Sequence, residues 1–66
     1  MYPVLEHLMR KANITKKDIS DLLVISYGAV LNKFEMTADW KYSECEKIRN
    51  HYFPGMTIDD LFKKEI

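Results

Sequence analysis

The chain has 66 residues and a formal net charge of zero, and 47% of its residues are hydrophobic and 30% charged. Its length predicts a single domain over residues 1–66, because below about 70–80 residues one core rarely contributes more than a few kcal/mol. The composition is too apolar for a disordered segment, and one cysteine cannot form an internal disulfide. Hydrophobic burial therefore has to hold the fold.

The chain carries no pattern typical of a membrane protein or an exported protein. Apolar runs stay far below the ~20 residues of a membrane span, and the amino end lacks the basic-then-apolar order of a secretion signal. We therefore expect a cytoplasmic protein without a membrane partner. Residues 1–33 carry five basic and three acidic side chains, and residues 34–66 carry five basic and seven acidic ones. The basic first half favours a nucleic-acid partner more than the neutral total does.

Two helices are predicted before residue 24. Apolar residues at helical spacing, with Pro3 in the first turn, predict a first helix over residues 3–12. Thr15 is followed three residues later by Asp18, which is a helix-cap signal of the Ser/Thr-x-x-acid kind. A second helix is therefore predicted over residues 16–23.

A third helix is predicted directly after a tight turn. Ser26 is a second cap candidate and opens a helix over residues 27–34. Residues 35–41 have no clear period and form the longest irregular connection of the chain. We expect Trp40 to enter the core from this connection.

The second half of the chain predicts two more helices. Helical spacing of apolar residues continues over residues 42–53, and Pro54 and Gly55 then end the helix. Thr57 caps a last helix over residues 58–63, which is too short to be stable without packing. The predicted class is all-α, a bundle of five short helices.

Catalytic and metal chemistry lack a convergent set of residues. Cys45 has no His or Asn placed by a local motif to activate it, and its spacing from the neighbouring apolar residues predicts a core position. His7 and His51 are isolated and expected on solvent-facing flanks. Glu44 and Glu46 point to different helix faces and are expected to be solvated charges. We expect no enzyme activity, no metal, no cofactor and no small-molecule ligand. In so short a chain the core takes most of the residues, and too few remain to enclose a pocket.

Residues 14–34, ITKKDISDLLVISYGAVLNKF, predict two capped helices joined by a short turn, which is the plan of a helix-turn-helix. This run resembles the lambda-repressor-like, Cro-type helix-turn-helix of phage and bacterial regulators. In that family a Thr caps the second helix, a small residue lies near its middle, and a Ser caps the recognition helix; the corresponding residues here are Thr15, Ser20 and Ser26. The buried positions of the family are matched by Ile19, Leu23, Ile25, Val30 and Phe34.

The resemblance extends to the carboxyl end. The run YSECEKIRNHYFPGMTIDDLF is similar to the fourth and fifth helices of small phage repressors, so nearly the whole chain is covered. The resemblance implies a lambda-repressor-like fold and a homodimer with a carboxyl-terminal interface. Candidates for that interface are the apolar residues left after the core is filled, Met56, Ile58, Phe62 and Ile66, although Ile58 and Phe62 can instead close the core of the monomer.

Three positions depart from the family pattern. Val24 stands where the family has a Gly in left-handed conformation, which a β-branched residue disfavours, so either the turn differs or Val24 is strained. Lys16 replaces a Gln and exchanges a directional amide for a point charge aimed at phosphate. Met36 stands where a Gly often closes the recognition helix, so we expect that helix to end by another route.

Helical geometry predicts which side of the third helix is free. With Val30 and Phe34 facing the core, Gly28 and Asn32 point outward, and Asn32 has the amide that pairs bidentately with adenine. The candidate base-contacting residues, on the outer side and the first turn, are Tyr27, Gly28, Leu31 and Asn32. The candidate phosphate-contacting residues are Lys16, Lys17, Ser26 and Lys33.

These observations support two hypotheses of different class. The first is a sequence-specific transcriptional regulator, a Cro-like repressor that binds double-stranded DNA as a homodimer, with half-sites of a near-palindromic operator about 34 Å apart in the major groove. The alternative is a protein-interaction module, an adaptor or antirepressor, on the same scaffold without DNA binding. Its apolar patch would consist of Leu22, Tyr27 and Leu31.

Overall fold

Five helices joined by short connections make up residues 2–65, the part of the chain that the computed structural model describes. They are α1 (Pro3–Lys11), α2 (Lys16–Leu23), α3 (Tyr27–Phe34), α4 (Tyr42–Tyr52) and α5 (Ile58–Leu61). These residues contain no strand, which confirms the all-α prediction. The Cα radius of gyration of 10.7 Å agrees with the ~11 Å expected for a compact chain of this length. No helix in the described part is long and apolar enough to cross a bilayer.

The three predicted caps open their helices as expected. The Thr15 hydroxyl accepts a hydrogen bond from the Asp18 N–H at 3.1 Å, and the Asp18 carboxylate accepts one from the Thr15 N–H at 2.9 Å. The Ser26 hydroxyl accepts from the Ala29 N–H at 3.1 Å, and Thr57 caps α5 in the same way. Each cap satisfies a backbone donor that the start of a helix leaves without an internal partner.

The core draws a buried side chain from every helix. Its members are Tyr2, Leu5, Met9, Ile19, Leu23, Val30, Phe34, Ile48 and Leu61. Of the five residues of α2, α3 and their turn that were predicted to be buried, four are buried, whereas Ile25 is only half-buried. Trp40 enters from the connection between α3 and α4, as predicted, and its ring centroid lies 5.3 Å from that of Phe34. Cys45 is also buried, which confirms its predicted core position.

The turn between α2 and α3 keeps the left-handed conformation despite Val24. This residue has φ 56° and ψ 45°, and the following N–H, of Ile25, donates to the Ser20 carbonyl oxygen at 3.2 Å. Of the two possibilities that the sequence left open, the left-handed conformation of Val24 bears out the strain at this residue. The left-handed region costs an L-residue about 1–2 kcal/mol. Val24 is 87% exposed, so packing does little to offset this strain.

The end of α3 has a second left-handed residue. Met36 has φ 66°, and the next N–H, of Thr37, donates to the Asn32 carbonyl oxygen at 2.9 Å. The Thr37 hydroxyl donates to the same oxygen at 3.0 Å. The expectation that this helix ends by another route is therefore wrong. These hydrogen bonds satisfy a terminal carbonyl and stabilise the conformation that the side chain of Met36 disfavours.

Candidate nucleic-acid interface

The outer side of α3 is free of the other helices. Its inner residues Val30 and Phe34 are buried, and its main helix neighbour is α2, across the turn of residues 24–26. On the outer side, Gly28 and Asn32 are exposed as the helical geometry predicts. A Cβ atom built on Gly28 would meet nothing within 4 Å. Neither α4 nor α5 therefore covers this part of α3.

The four candidate base-contacting residues differ in their accessibility. Tyr27, in the first turn of α3, is 48% exposed. Gly28 and Asn32 are exposed, whereas Leu31 is half-buried at the edge of this face. The structure thus exposes an open backbone position and a carboxamide on the side of α3 opposite its buried residues, and it exposes part of an aromatic ring in the first turn of the helix. We call Gly28 and Asn32 the outer face of α3.

Lys33 does not belong to the exposed edge of this face, and its expected phosphate contact is not available. Its ammonium lies 3.0 Å from the Glu44 Oε1 and donates to the Asp39 backbone carbonyl at 3.0 Å. The same group lies 5.8 Å from the centre of the Trp40 ring. The side chain is buried because it runs toward the start of α4 rather than toward solvent. A phosphate would have to displace an ion pair that is already formed.

Glu44 is also placed differently from the prediction, since it is buried rather than solvated. Its Oε1 accepts a hydrogen bond from the Lys41 N–H at 2.8 Å as well as pairing with Lys33. Burial by itself raises the pKa of the Glu44 carboxyl, but the hydrogen bond from Lys41 and then the Lys33 ammonium outweigh it and bring the pKa below its ordinary value. The carboxylate is therefore the stable form in the folded chain.

Lys16, Lys17 and Ser26 remain as candidates for phosphate contacts. The Lys16 ammonium lies 5.0 Å from the centre of the Phe34 ring, which places this charge beside α3. Lys17 is exposed and pairs with Asp21 at 3.1 Å, an exposed pair that contributes at most ~1 kcal/mol and is easily exchanged for a phosphate. The Ser26 hydroxyl is exposed and, while it accepts the cap hydrogen bond, can still donate one.

The candidate dimer residues lie mainly against the core of the monomer. The Phe62 ring contacts the Trp40 ring at 5.3 Å and the Tyr2 ring at 6.3 Å, both edge to face. Met56 is half-buried and packs against the same core. Ile66 lies outside the described residues. The structure thus favours the core role for Phe62 that the sequence had left open.

The other chemistry-bearing residues are Cys45, the two histidines and Glu46. Burial, followed by the Glu44 carboxylate, raises the pKa of the Cys45 thiol and disfavours its nucleophilic form. His7, His51 and Glu46 are exposed, as predicted. The described residues contain no group of three or more His, Cys, Asp or Glu side chains that could hold a metal ion.

The groove between α4 and α5 was not predicted from the sequence. Tyr42 and Arg49 of α4 line an open groove together with Thr57, Ile58 and Asp59 at the start of α5. Tyr42 and Arg49 are seven residues apart and therefore share a helix face, which is the one signal that the sequence offered. The partner residues from α5 could not be inferred, because they depend on how the two helices pack.

The comparisons with protein-family models, with curated proteins and with solved structures gave no match. In the described chain Gly28 and Asn32 are exposed on the outer face of α3, Lys16 and Lys17 begin α2, and Lys33 is paired with Glu44.

Proposed function

We propose that the protein is a sequence-specific DNA-binding regulator of the Cro-like repressor kind, acting in the cytoplasm. In this proposal α2, the turn of residues 24–26 and α3 form a helix-turn-helix, and α3 enters the major groove. The observation that carries the proposal is the uncovered outer face of α3. A major groove about 12 Å wide accepts an α-helix, provided that the rest of the domain leaves one side of the helix bare.

Each exposed group has a role in this proposal. The Asn32 carboxamide pairs with the N6 and N7 atoms of an adenine, and the Tyr27 ring contacts a thymine methyl from the first turn of the helix. The open position at Gly28 lets the helix backbone lie close to the base edges. Lys16, Lys17 and Ser26 bind phosphates and orient the helix without reading the sequence.

Two copies of the chain act together in the proposed complex. Of the three lysines predicted to contact phosphates, Lys33 is paired with Glu44, which leaves Lys16 and Lys17, and the salt-dependent part of the affinity grows with the number of neutralised phosphates. A single copy therefore binds weakly. A homodimer on a near-palindromic operator, with half-sites about 34 Å apart, doubles these contacts.

The test separates sequence reading from phosphate binding. Duplexes that bind the protein are first selected from a randomised library, and affinities for a selected and a random duplex are then measured. We expect Asn32→Ala to weaken binding to the selected duplex by about 1–3 kcal/mol and to leave random binding unchanged. The matched control Lys17→Ala should weaken both alike. Equal losses on both duplexes for Asn32→Ala would contradict the assignment.

One observation favours the second candidate, a protein-interaction module. With Lys33 buried, the surface around the turn presents Tyr27 at 48% and Val24 at 87% exposure, next to the half-buried Leu22 and Leu31. This surface is more apolar than a DNA-binding face needs to be. A salt series on random duplex DNA distinguishes the two: a steep loss of affinity with salt supports DNA binding, and absence of binding at low salt supports the interaction module.

A further inference from the structure

The Lys33–Glu44 ion pair connects α3 to α4, two helices whose backbones lie apart in the described chain. Within residues 2–65, α2 is the one helix whose backbone packs closely against α3, whereas α4 packs against α2 and α5. The Lys33 ammonium lies 3.0 Å from the Glu44 Oε1 and donates to the Asp39 carbonyl at 3.0 Å. The same Glu44 oxygen accepts a hydrogen bond from the Lys41 N–H, directly before α4. The ion pair therefore ties the last turn of α3 to the start of α4.

The neighbouring ring contacts at this end of α3 are apolar and less directional. Phe34 is buried, and its ring lies edge to face with the Trp40 ring at 5.3 Å and the Tyr2 ring at 6.4 Å. Burial of apolar surface is non-directional, so these rings hold α3 against the core but constrain its rotation about its own axis only loosely. A charge-assisted hydrogen bond requires a short distance and a favourable angle. The Lys33–Glu44 pair therefore constrains this rotation more tightly than the rings do.

Net stability does not by itself require two buried charges at this place. The side chains of Lys33 and Glu44 are 10% and 11% exposed, so both charges have lost most of their water. Removing one partner of such a pair is costly, but replacing both by uncharged groups of similar volume is often neutral or stabilising. Buried ionic groups instead select one conformation in some proteins. A requirement for one defined orientation of α3 therefore explains the pair better than a requirement for stability does.

We propose that Lys33 and Glu44 are positioning residues, which fix the rotation of α3 and thereby the direction of the Asn32 carboxamide. The inference rests on the proposed function, in which Asn32 pairs with an adenine. A helix with its side chains has a radius of about 5–6 Å, so a rotation of ~10° displaces the ends of its side chains by about 1 Å. An N–H···O hydrogen bond requires a distance of about 2.7–3.2 Å, so a displacement of this size breaks a bidentate contact. Lys33 thus acts on base reading through Asn32, and not through the phosphate contact predicted from the sequence.

The experiment uses double variants that replace the pair and keep the net charge of the chain. K33M/E44Q has uncharged side chains of similar size, and K33Q/E44Q offers a neutral hydrogen bond instead. We expect K33M/E44Q to bind a random duplex like the wild type and a selected duplex about tenfold more weakly, which is the order of one bidentate base contact. K33Q/E44Q should lose less, because a hydrogen bond can still orient the helix. The matched control E46Q/K47M removes one exposed charge of each sign from α4 and should change neither affinity.

Measurements without DNA separate this inference from the proposed function. Residual dipolar couplings of the backbone amides give the orientation of α3 relative to α4, and thermal melting verifies that each variant is folded. We expect K33M/E44Q to change this orientation; if K33M/E44Q does not fold, K33Q/E44Q provides the same comparison. An unchanged orientation, wild-type discrimination between the two duplexes in both double variants, or an equal loss of affinity on both duplexes would each overturn the proposal. A wild type that binds no duplex would contradict the proposed function, and the dipolar couplings would still decide whether the pair orients α3.

Discussion

The two ends of α3 are held in opposite ways. At its start, Tyr27 is 48% exposed, and a Cβ atom built on Gly28 would meet nothing within 4 Å. At its end, Phe34 is in the core, and Lys33 is bound to Glu44 at the start of α4. The helix is thus anchored at its carboxyl end and free at its amino end. Recognition helices contact base edges mainly through their amino-terminal residues, so this arrangement suits the proposed function.

Two ion pairs of nearly equal length illustrate the same contrast. Lys17 and Asp21 approach to 3.1 Å with side chains 69% and 65% exposed, whereas Lys33 and Glu44 approach to 3.0 Å with side chains 10% and 11% exposed. An exposed pair contributes about 0–1 kcal/mol, but removing one partner of a buried pair typically destabilises by about 3–5 kcal/mol. Burial, and not distance, therefore decides which lysine is available to a ligand.

The largest effect on stability is expected when the Lys33–Glu44 ion pair, at the carboxyl end of α3, is broken. Glu44→Gln leaves the Lys33 ammonium buried without its counter-charge, and we expect the free energy of unfolding in urea to fall by about 3 kcal/mol. The double variant K33M/E44Q removes both charges and keeps an acceptor for the Lys41 N–H, so it should recover most of that loss. If Glu44→Gln alone is as stable as the wild type, the pair does not anchor α3.

A pH titration tests the same Lys33–Glu44 ion pair without a substitution. Because the pKa of Glu44 is lower in the folded chain than its ordinary value of 4.5, the carboxylate stabilises the fold at higher pH. This contribution is lost as the pH falls below 4.5 and through the folded pKa. We expect the melting temperature of the wild type to decrease more on acidification than that of Glu44→Gln. Parallel curves for the two proteins would show that Glu44 does not contribute.

Removing the backbone strain at Val24, in the turn before α3, should stabilise the fold. Val24→Gly relieves the left-handed strain of about 1–2 kcal/mol and loses part of this gain through the greater entropy of the unfolded chain. We expect a net stabilisation of about 1 kcal/mol, or a melting temperature about 4–8 °C higher. Val24→Ala keeps a Cβ atom and should gain less. A destabilised Val24→Gly would mean that the valine contributes through contacts that its exposure does not reveal.

The smallest effect is expected at Gly28. A Cβ atom has room there, and Ala is a better helix former, so Gly28→Ala should raise the free energy of unfolding by about 0.5 kcal/mol. The same methyl group would hold the helix away from the base edges, so DNA affinity should decrease while stability increases. Stability by thermal melting and affinity for a selected duplex provide the two measurements. An unchanged affinity would argue against close approach of the helix backbone at this position.

Local interactions made most of the secondary structure predictable. Thr15, Ser26 and Thr57 each bond to a backbone N–H three residues further on, so the start of a helix is encoded within one turn. The buried side of α3 follows from helical spacing for the same reason. The outer face at Gly28 and Asn32 could therefore be placed from the sequence as the side opposite Val30 and Phe34.

Tertiary packing decided what local spacing left undetermined. Lys33 lies at the edge of α3, where its long side chain can extend toward solvent or toward α4. The Glu44 carboxylate, eleven residues away, and the Asp39 carbonyl determine its direction. Phe62 likewise packs against Tyr2 and Trp40, two rings from distant parts of the chain. The sequence by itself determined where helices begin and which side of each is apolar, because those properties depend on neighbours within one or two turns. The availability of a charge or an apolar ring to a partner depends on contacts between helices, which only the folded chain brings together.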